Sequence, residues 1–144
     1  MKRVSMIVWN DFRNDARVLK EAETLQSAGY AVTVFALHTP GVTARKETLA
    51  SGVKVVRVLR SPLWVFRKHR HHTAAPAATK NSGRFETPGR AKLLGLLLSR
   101  GITHFVLAVR MILSRPSVIH AHDVNTLATA WLARVFTRAR LVYD

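Results

Sequence analysis

Two short, almost wholly apolar runs, residues 3–9 and 31–37, bracket a segment whose apolar residues recur every three to four positions. That alternation is the tightest constraint on what the chain can fold into. A strand that is apolar along its whole length is buried on both faces, the condition of a parallel sheet lying between helices. Between the two runs, Val18, Leu19, Ala22 and Leu25 give residues 16–27 one apolar helical face. Asp15 stands where an N-cap belongs, and Gly29 where a left-handed residue ends a helix. Arg17 and Glu21 are spaced as an i,i+4 pair in the weaker orientation. Residues 53–58 form a third β-branched run. The class is therefore α/β, and the order β-α-β-loop-β opens a doubly wound parallel sheet with a right-handed crossover.

The second half resumes the pattern after an interruption. Leu63-Trp64-Val65-Phe66 runs directly into Arg67-Lys68-His69-Arg70-His71-His72. Residues 73–90 carry almost no large apolar side chains and several prolines and glycines, which predicts a mobile loop within one domain of residues 1–144. Residues 91–113 predict a long helix on which Lys92, Ser99, Thr103 and Arg110 share one narrow stripe, with Arg100 and His104 beside it. Nearly everything else on it is apolar. A bilayer span is disfavoured, because two arginines near the centre would each cost roughly 2.5–3.5 kcal/mol. Burial against the sheet and partial burial in a membrane interface both remain open for this helix. Residues 117–121 read as a fourth strand. Asp123 or Asn125 then caps a helix to about Phe136, with Leu127, Ala128, Trp131, Leu132 and Val135 on its apolar face. A fifth strand begins at residues 141–143.

Charge is unevenly distributed. The chain has 23 Lys+Arg against 8 Asp+Glu, and residues 49–122 hold thirteen basic residues and a single acid, Glu86. Such a surface suits an anionic partner such as a membrane, a phosphorylated substrate or nucleic acid; it also fits a merely solvated basic face. Aromatic residues are not interleaved with the basic ones as nucleic-acid binding requires, so no nucleic-acid partner is expected. There is no cysteine, which fits a reducing cytoplasm, and the apolar stretch at residues 4–9 is too short for a secretory leader. Trp64 and Phe66 beside Arg67, Lys68 and Arg70 make a candidate membrane contact on the inner face of the cell membrane.

In an open α/β sheet, ligands bind beyond the carboxyl ends of the strands, where the strand order reverses. Two segments fall there. The loop after the first strand, Asn10-Asp11-Phe12-Arg13-Asn14, lacks a G-x-G-x-x-G fingerprint and is polar, suited to a sugar or another hydroxylated ligand. It also fits an ordinary turn-and-cap segment. His122-Asp123 follows the fourth strand. Strand alternation puts His120 and His122 on one face within reach of Asp123, but nothing else completes a metal set, so no metal is assigned. His120, deeper in the strand, is expected to be buried, and His122, at the tip, to be the active-site candidate.

The segment Asn14-Asp15-Ala16-Arg17-Val18-Leu19-Lys20-Glu21-Ala22 leading to Ala28-Gly29-Tyr30-Ala31-Val32-Thr33-Val34, then Val118-Ile119-His120-Ala121-His122-Asp123 and Leu141-Val142-Tyr143-Asp144, resembles the N-terminal domain of family 4 glycosyltransferases. The resemblance covers nearly everything outside residues 62–90 and departs from the family in lacking its glycine-rich first loop. It implies the first half of a GT-B N-terminal domain, Rossmann-like and truncated, with the C-terminal nucleotide-binding domain as a missing partner. The implied reaction is retaining transfer from a nucleotide-diphospho-sugar to a glycan or lipid-linked acceptor, without an essential metal or other cofactor. The residues it singles out are His122 as catalytic and Asn10, Asp11, Arg13, Asn14 and Asp123 as substrate-binding. The chain alone is expected to be inactive. A non-catalytic basic module binding nucleic acid or a protein partner is the rival reading.

Overall fold

The computed structural model describes residues 1–60 and 89–144. The expected loop over residues 73–90, up to Pro88, lies outside the described residues, as do Trp64, Phe66, Arg67, Lys68 and Arg70. In chain order the elements are β1 (Arg3–Ile7), α1 (Ala16–Ser27), β2 (Ala31–His38), β3 (Lys46–Thr48), β4 (Lys54–Leu59), α2 (Arg90–Ser114), β5 (Val118–Ala121), α3 (Val124–Thr137) and β6 (Arg140–Tyr143). They form one six-stranded sheet ordered β3-β4-β2-β1-β5-β6. Every neighbouring pair is parallel except β3 with β4. The sheet is Rossmann-like and doubly wound. Its order turns back between β1 and β5, the position at which such sheets open a crevice.

One feature was not expected: β3, a three-residue antiparallel edge strand. Its residues Lys46-Glu47-Thr48 carry no apolar alternation, so hydropathy gives no sign of it. A buried arginine anchors it. Arg57 on β4, its side chain 2% exposed, reaches Glu47 Oε1 at 2.7 Å and donates to the Ala44 and Asp11 carbonyls.

Local signals placed α1 well. Asp15 accepts from the Val18 N–H, and Gly29 has φ +87° just past the helix, where a side chain would be strained. Val18 and Ala22 then pack on Val4, Met6, Val8, Val32, Val34 and Val55, closing the core on one face of the sheet. Arg17, however, pairs with Asp144 at 3.3 Å, and Glu21 turns inward instead of joining it.

The other face carries α2 and α3; α3 is turned opposite to its apolar pattern, and α2 buries a mixed polar and apolar stripe. On α2 the small polar residues point inward: Thr103 is 1% exposed and Ser99 5%. The Thr103 hydroxyl lies within hydrogen-bond reach of the carbonyls of Leu59, Arg60 and Ser99. Leu107, Ala108 and Met111 complete the inward stripe, while Leu94, Leu97, Leu98 and Phe105 are exposed. On α3 the buried residues are Thr126, Thr129, Ala130 and Ala133. The face assigned to the core is largely outside, with Trp131, Leu132, Val135 and its neighbour Phe136 exposed. On α3 the small residues let the helix approach the sheet closely and the large ones lie outside, whereas α2 buries Leu107 and Met111 beside Ser99 and Thr103.

Candidate functional site

The carboxyl ends of β1 and β5 are joined by the His122 N–H donating to the Ile7 carbonyl at 3.2 Å, and just beyond them a clasp forms where Asp123 Oδ2 accepts the Trp9 backbone N–H at 2.7 Å. Asp123 occupies the N-cap position of α3 but makes no side-chain cap bond, having given that oxygen to β1's continuation. The two segments singled out by sequence are thus neighbours. The β1–α1 loop is largely bonded to itself. Asn10 donates to Asp15 and accepts from the Phe12 N–H, while Asp11 accepts from the Arg13 N–H and pairs with the Arg13 guanidinium at 3.2 Å. Phe12 sits at φ +56°, an uncommon conformation for a bulky residue, and its buried ring offsets the strain. The polar loop is therefore a shaped unit. Asn10, Arg13 and Asn14 line its exposed rim.

Three residues beside this clasp escaped sequence reasoning as a group. The rings of Trp9 and His104 stack with centroids 4.1 Å apart and planes 5° from parallel. Arg100 lies over the same tryptophan at 5.1 Å, within cation–π range. Arg100 also donates to Asn125 at 2.7 Å, and His104 contacts the Thr129 hydroxyl at 2.6 Å. Burial, and secondarily Arg100, hold the His104 pKa below its ordinary 6.5. Arg100 and His104 stand out in the sequence as polar positions on an apolar helix, but only the fold brings Trp9 between them.

His120 is largely buried as expected, but His122 is buried more deeply still, not exposed at the strand tip. The side chain of His122 is 1% exposed and that of His120 15%. Both project to the α1 side of the sheet, their ring centroids 4.0 Å apart, because Met6, on that same face, is the register partner of His120. His122 directly follows β5, yet Glu21 of α1 reaches it, so the strand tip is not the exposed position that its place in sequence suggests. Glu21 descends from α1 to meet them, its Oε2 3.8 Å from His120 Nδ1 and 3.8 Å from His122 Nε2. Burial, with His120 and Arg17 nearby, lowers the His122 pKa to about 4. At neutral pH its ring is uncharged, with one N–H and one lone pair. Neither ring nitrogen has a hydrogen-bond partner.

Beside this cluster, a groove of about 680 Å³ runs between α1 and the β5–β6 edge, with Val4, Glu21, Leu25, Val118, His120 and Val142 in its walls.

No family model and no curated protein matches the sequence. Among solved structures, the chain is similar to sucrose-phosphate synthase from Thermosynechococcus elongatus, with a TM-score of 0.59 at 14% identity. That likeness takes in 99% of this chain and 32% of the other, so the chain spans about a third of the matched structure's length. Together with the strand order, it shows that the chain has a Rossmann-like α/β fold.

Proposed function

We propose that the chain is the acceptor-side domain of a retaining GT-B glycosyltransferase of the family 4 type, acting with a second Rossmann-like domain that binds the nucleotide-diphospho-sugar. In that reaction the bond from the anomeric carbon to the diphosphate oxygen breaks, and an acceptor oxygen bonds to the same carbon. The nucleoside diphosphate leaves with the electron pair, and the acceptor hydroxyl proton passes to it. The observation that carries this reading is the Asp123–Trp9 clasp, which brings the two motif segments to one crevice at the strand reversal. Arg13 and Asn14 on the rim supply donors for phosphate and hydroxyl groups, and Asp123 orients the loop. A sugar-contacting role for His122 is not part of the proposal, since its side chain is 1% exposed.

The test is an amide NMR titration of the chain with a short-chain polyprenyl-diphosphate-linked sugar, with UDP-glucose and an oligonucleotide as controls. Saturable shifts should cluster at residues 9–15 and 122–125, and Arg13→Ala should weaken binding about tenfold, on the scale of one charge-assisted hydrogen bond. No sugar transfer or nucleotide-sugar hydrolysis is expected from the chain alone. Turnover by the chain alone, or shifts confined to other regions, would overturn the assignment.

A membrane-surface location, on the cytoplasmic side, is the companion reading, favoured by the outward-facing leucines of α2. The segment Leu93–Ser114 is long and apolar enough to cross a bilayer, with mean hydropathy 1.6, yet it packs on β4 and α3 through Thr103, Leu107, Ala108 and Met111. That packing supports a helix lying against a membrane more than one passing through it.

A further inference from the structure

We propose that Glu21, His120 and His122 form a binding site for one divalent first-row transition cation, with zinc as the reference ion. This inference is independent of the glycosyl-transfer reading. The three side chains each offer one ligand atom, and those atoms lie within 4.8 Å of one another. Two ligands on a tetrahedral zinc, each at roughly 2.0–2.1 Å, stand about 3.4 Å apart. The observed 3.8 Å between Glu21 Oε2 and each histidine nitrogen is therefore a few tenths of an ångström from bonding geometry.

The second observation is the state of the polar atoms. Glu21 Oε2, His120 Nε2 and both ring nitrogens of His122 are buried without a hydrogen-bond partner. Buried polar atoms are nearly always satisfied, and Glu21 Oε2 and His122 Nε2 are two such orphans facing each other 3.8 Å apart, which implies something between them that satisfies both. A cation taking one lone pair each from Glu21 Oε2, His122 Nε2 and His120 Nδ1, the atoms that face one another, does so. The donor set of two imidazoles and one carboxylate suits zinc and its neighbours and is too nitrogen-rich for calcium or magnesium. Three protein ligands leave a fourth position open. His120 and Glu21 also line the groove beside α1, so that position can take water or an anionic group from it. Arg17, a nearby positive charge, is paired with Asp144 and so opposes the ion less than a bare guanidinium would.

The site also binds parts of the chain far apart in sequence, since Glu21 belongs to α1 and the histidines to the end of β5. Binding should therefore stabilise the fold as well as occupy a pocket.

The test uses the untagged chain, stripped with EDTA and titrated with zinc chloride by calorimetry, with cobalt(II) absorption as a second readout. One equivalent should bind, the unfolding midpoint should rise with the logarithm of free zinc, and cobalt should give the intense visible bands of a four-coordinate ion. Loss of supporting groups around metal ligands typically costs about 10–100-fold in affinity, so losing a ligand itself should cost at least about tenfold. Glu21→Gln and His120→Ala should each show that loss while folding normally in EDTA, and His120→Ala should abolish the cobalt spectrum. The combined His69→Ala, His71→Ala and His72→Ala variant controls for the other histidine cluster and should bind as the parent does. Absence of saturable binding by the parent, wild-type affinity in Glu21→Gln and His120→Ala, or loss of binding in the His69–His71–His72 variant would each overturn the site. The first result would leave an ordered water closing the cluster.

Discussion

At the scale of single residues, the pattern of histidine burial decides how stability responds to pH. His104 is stacked on Trp9, with Arg100 beside the same ring and the Thr129 hydroxyl against its Nδ1. Burial and Arg100 both lower its pKa below 6.5. A histidine with a depressed pKa in the folded state takes up its proton more readily when unfolded. Its contribution is thus present above the unfolded pKa and is lost as pH falls toward the folded one. His104→Gln should therefore lose less stability than the parent chain between about pH 7.5 and about pH 5. Denaturant titrations at a series of pH values measure the difference directly; a difference that does not change with pH would remove His104 from the account. The sequence marked His104 as one of a few polar positions on an apolar helix, and in that sense it was legible. Its partner Trp9 was not, because β1 and α2 are joined only by the sheet. Glu21 shows the same limit: helical spacing offered Arg17 as its partner, and tertiary packing supplied two histidines about a hundred residues away.

At the scale of elements, what the sequence revealed depended on whether the information was local. For β1, α1 and β2, caps and periodicity specify an element and its neighbours together, and the observed α1 spans the residues that the pattern indicates. For α2 and α3, periodicity located the helices but not their orientation. A helical wheel identifies the apolar side, and it is a further assumption that this side meets the sheet. Here the buried positions are Thr103, Leu107, Ala108 and Met111 on α2, and on α3 the small Ala130 and Ala133, which permit close approach. Strand β3 was invisible for a different reason: beyond its backbone ladder with β4, its side-chain tie is to Arg57, which links β4, the β1–α1 loop and Glu47. Removing the Glu47 carboxylate leaves that buried guanidinium short of its anionic partner. Glu47→Ala should cost roughly 1–3 kcal/mol, and Glu47→Gln less because its carbonyl still accepts. Amide exchange at Lys46–Thr48 should accelerate more than at β4. Unchanged urea midpoints in both variants would mean that Arg57 is satisfied by the Ala44 and Asp11 carbonyls alone.

At the scale of the whole molecule, the outward face of α2 and α3 and the chain's net charge of +15 have to be considered together. Leu98 is 60% exposed, Phe105 64% and Phe136 68%, an amount of apolar surface that monomeric proteins rarely leave in water. The proposed anionic membrane surface would satisfy both features: the leucines and aromatics would enter the interface, and the basic residues would meet the lipid head groups. Each basic residue near such a surface contributes about 1 kcal/mol, so the Arg67, Lys68 and Arg70 cluster together with Arg110 supplies about 4 kcal/mol at low salt. Co-sedimentation should therefore show strong binding to phosphatidylglycerol vesicles and little to phosphatidylcholine. Raising the salt toward 1 M shortens the screening length from about 10 Å to about 3 Å and should release much of the bound protein. Phe105→Glu and Leu98→Glu should weaken binding without unfolding the chain, because neither side chain belongs to the buried stripe. Alanines at Arg67, Lys68 and Arg70 should reduce both the binding and its salt dependence. A helix that crossed the bilayer would resist salt extraction, and Arg100 would have to leave Asn125 and Trp9 to get there. Protein that stays with vesicles at high salt would thus favour insertion, and equal binding to both lipids, or none, would return the exposed face to a protein partner.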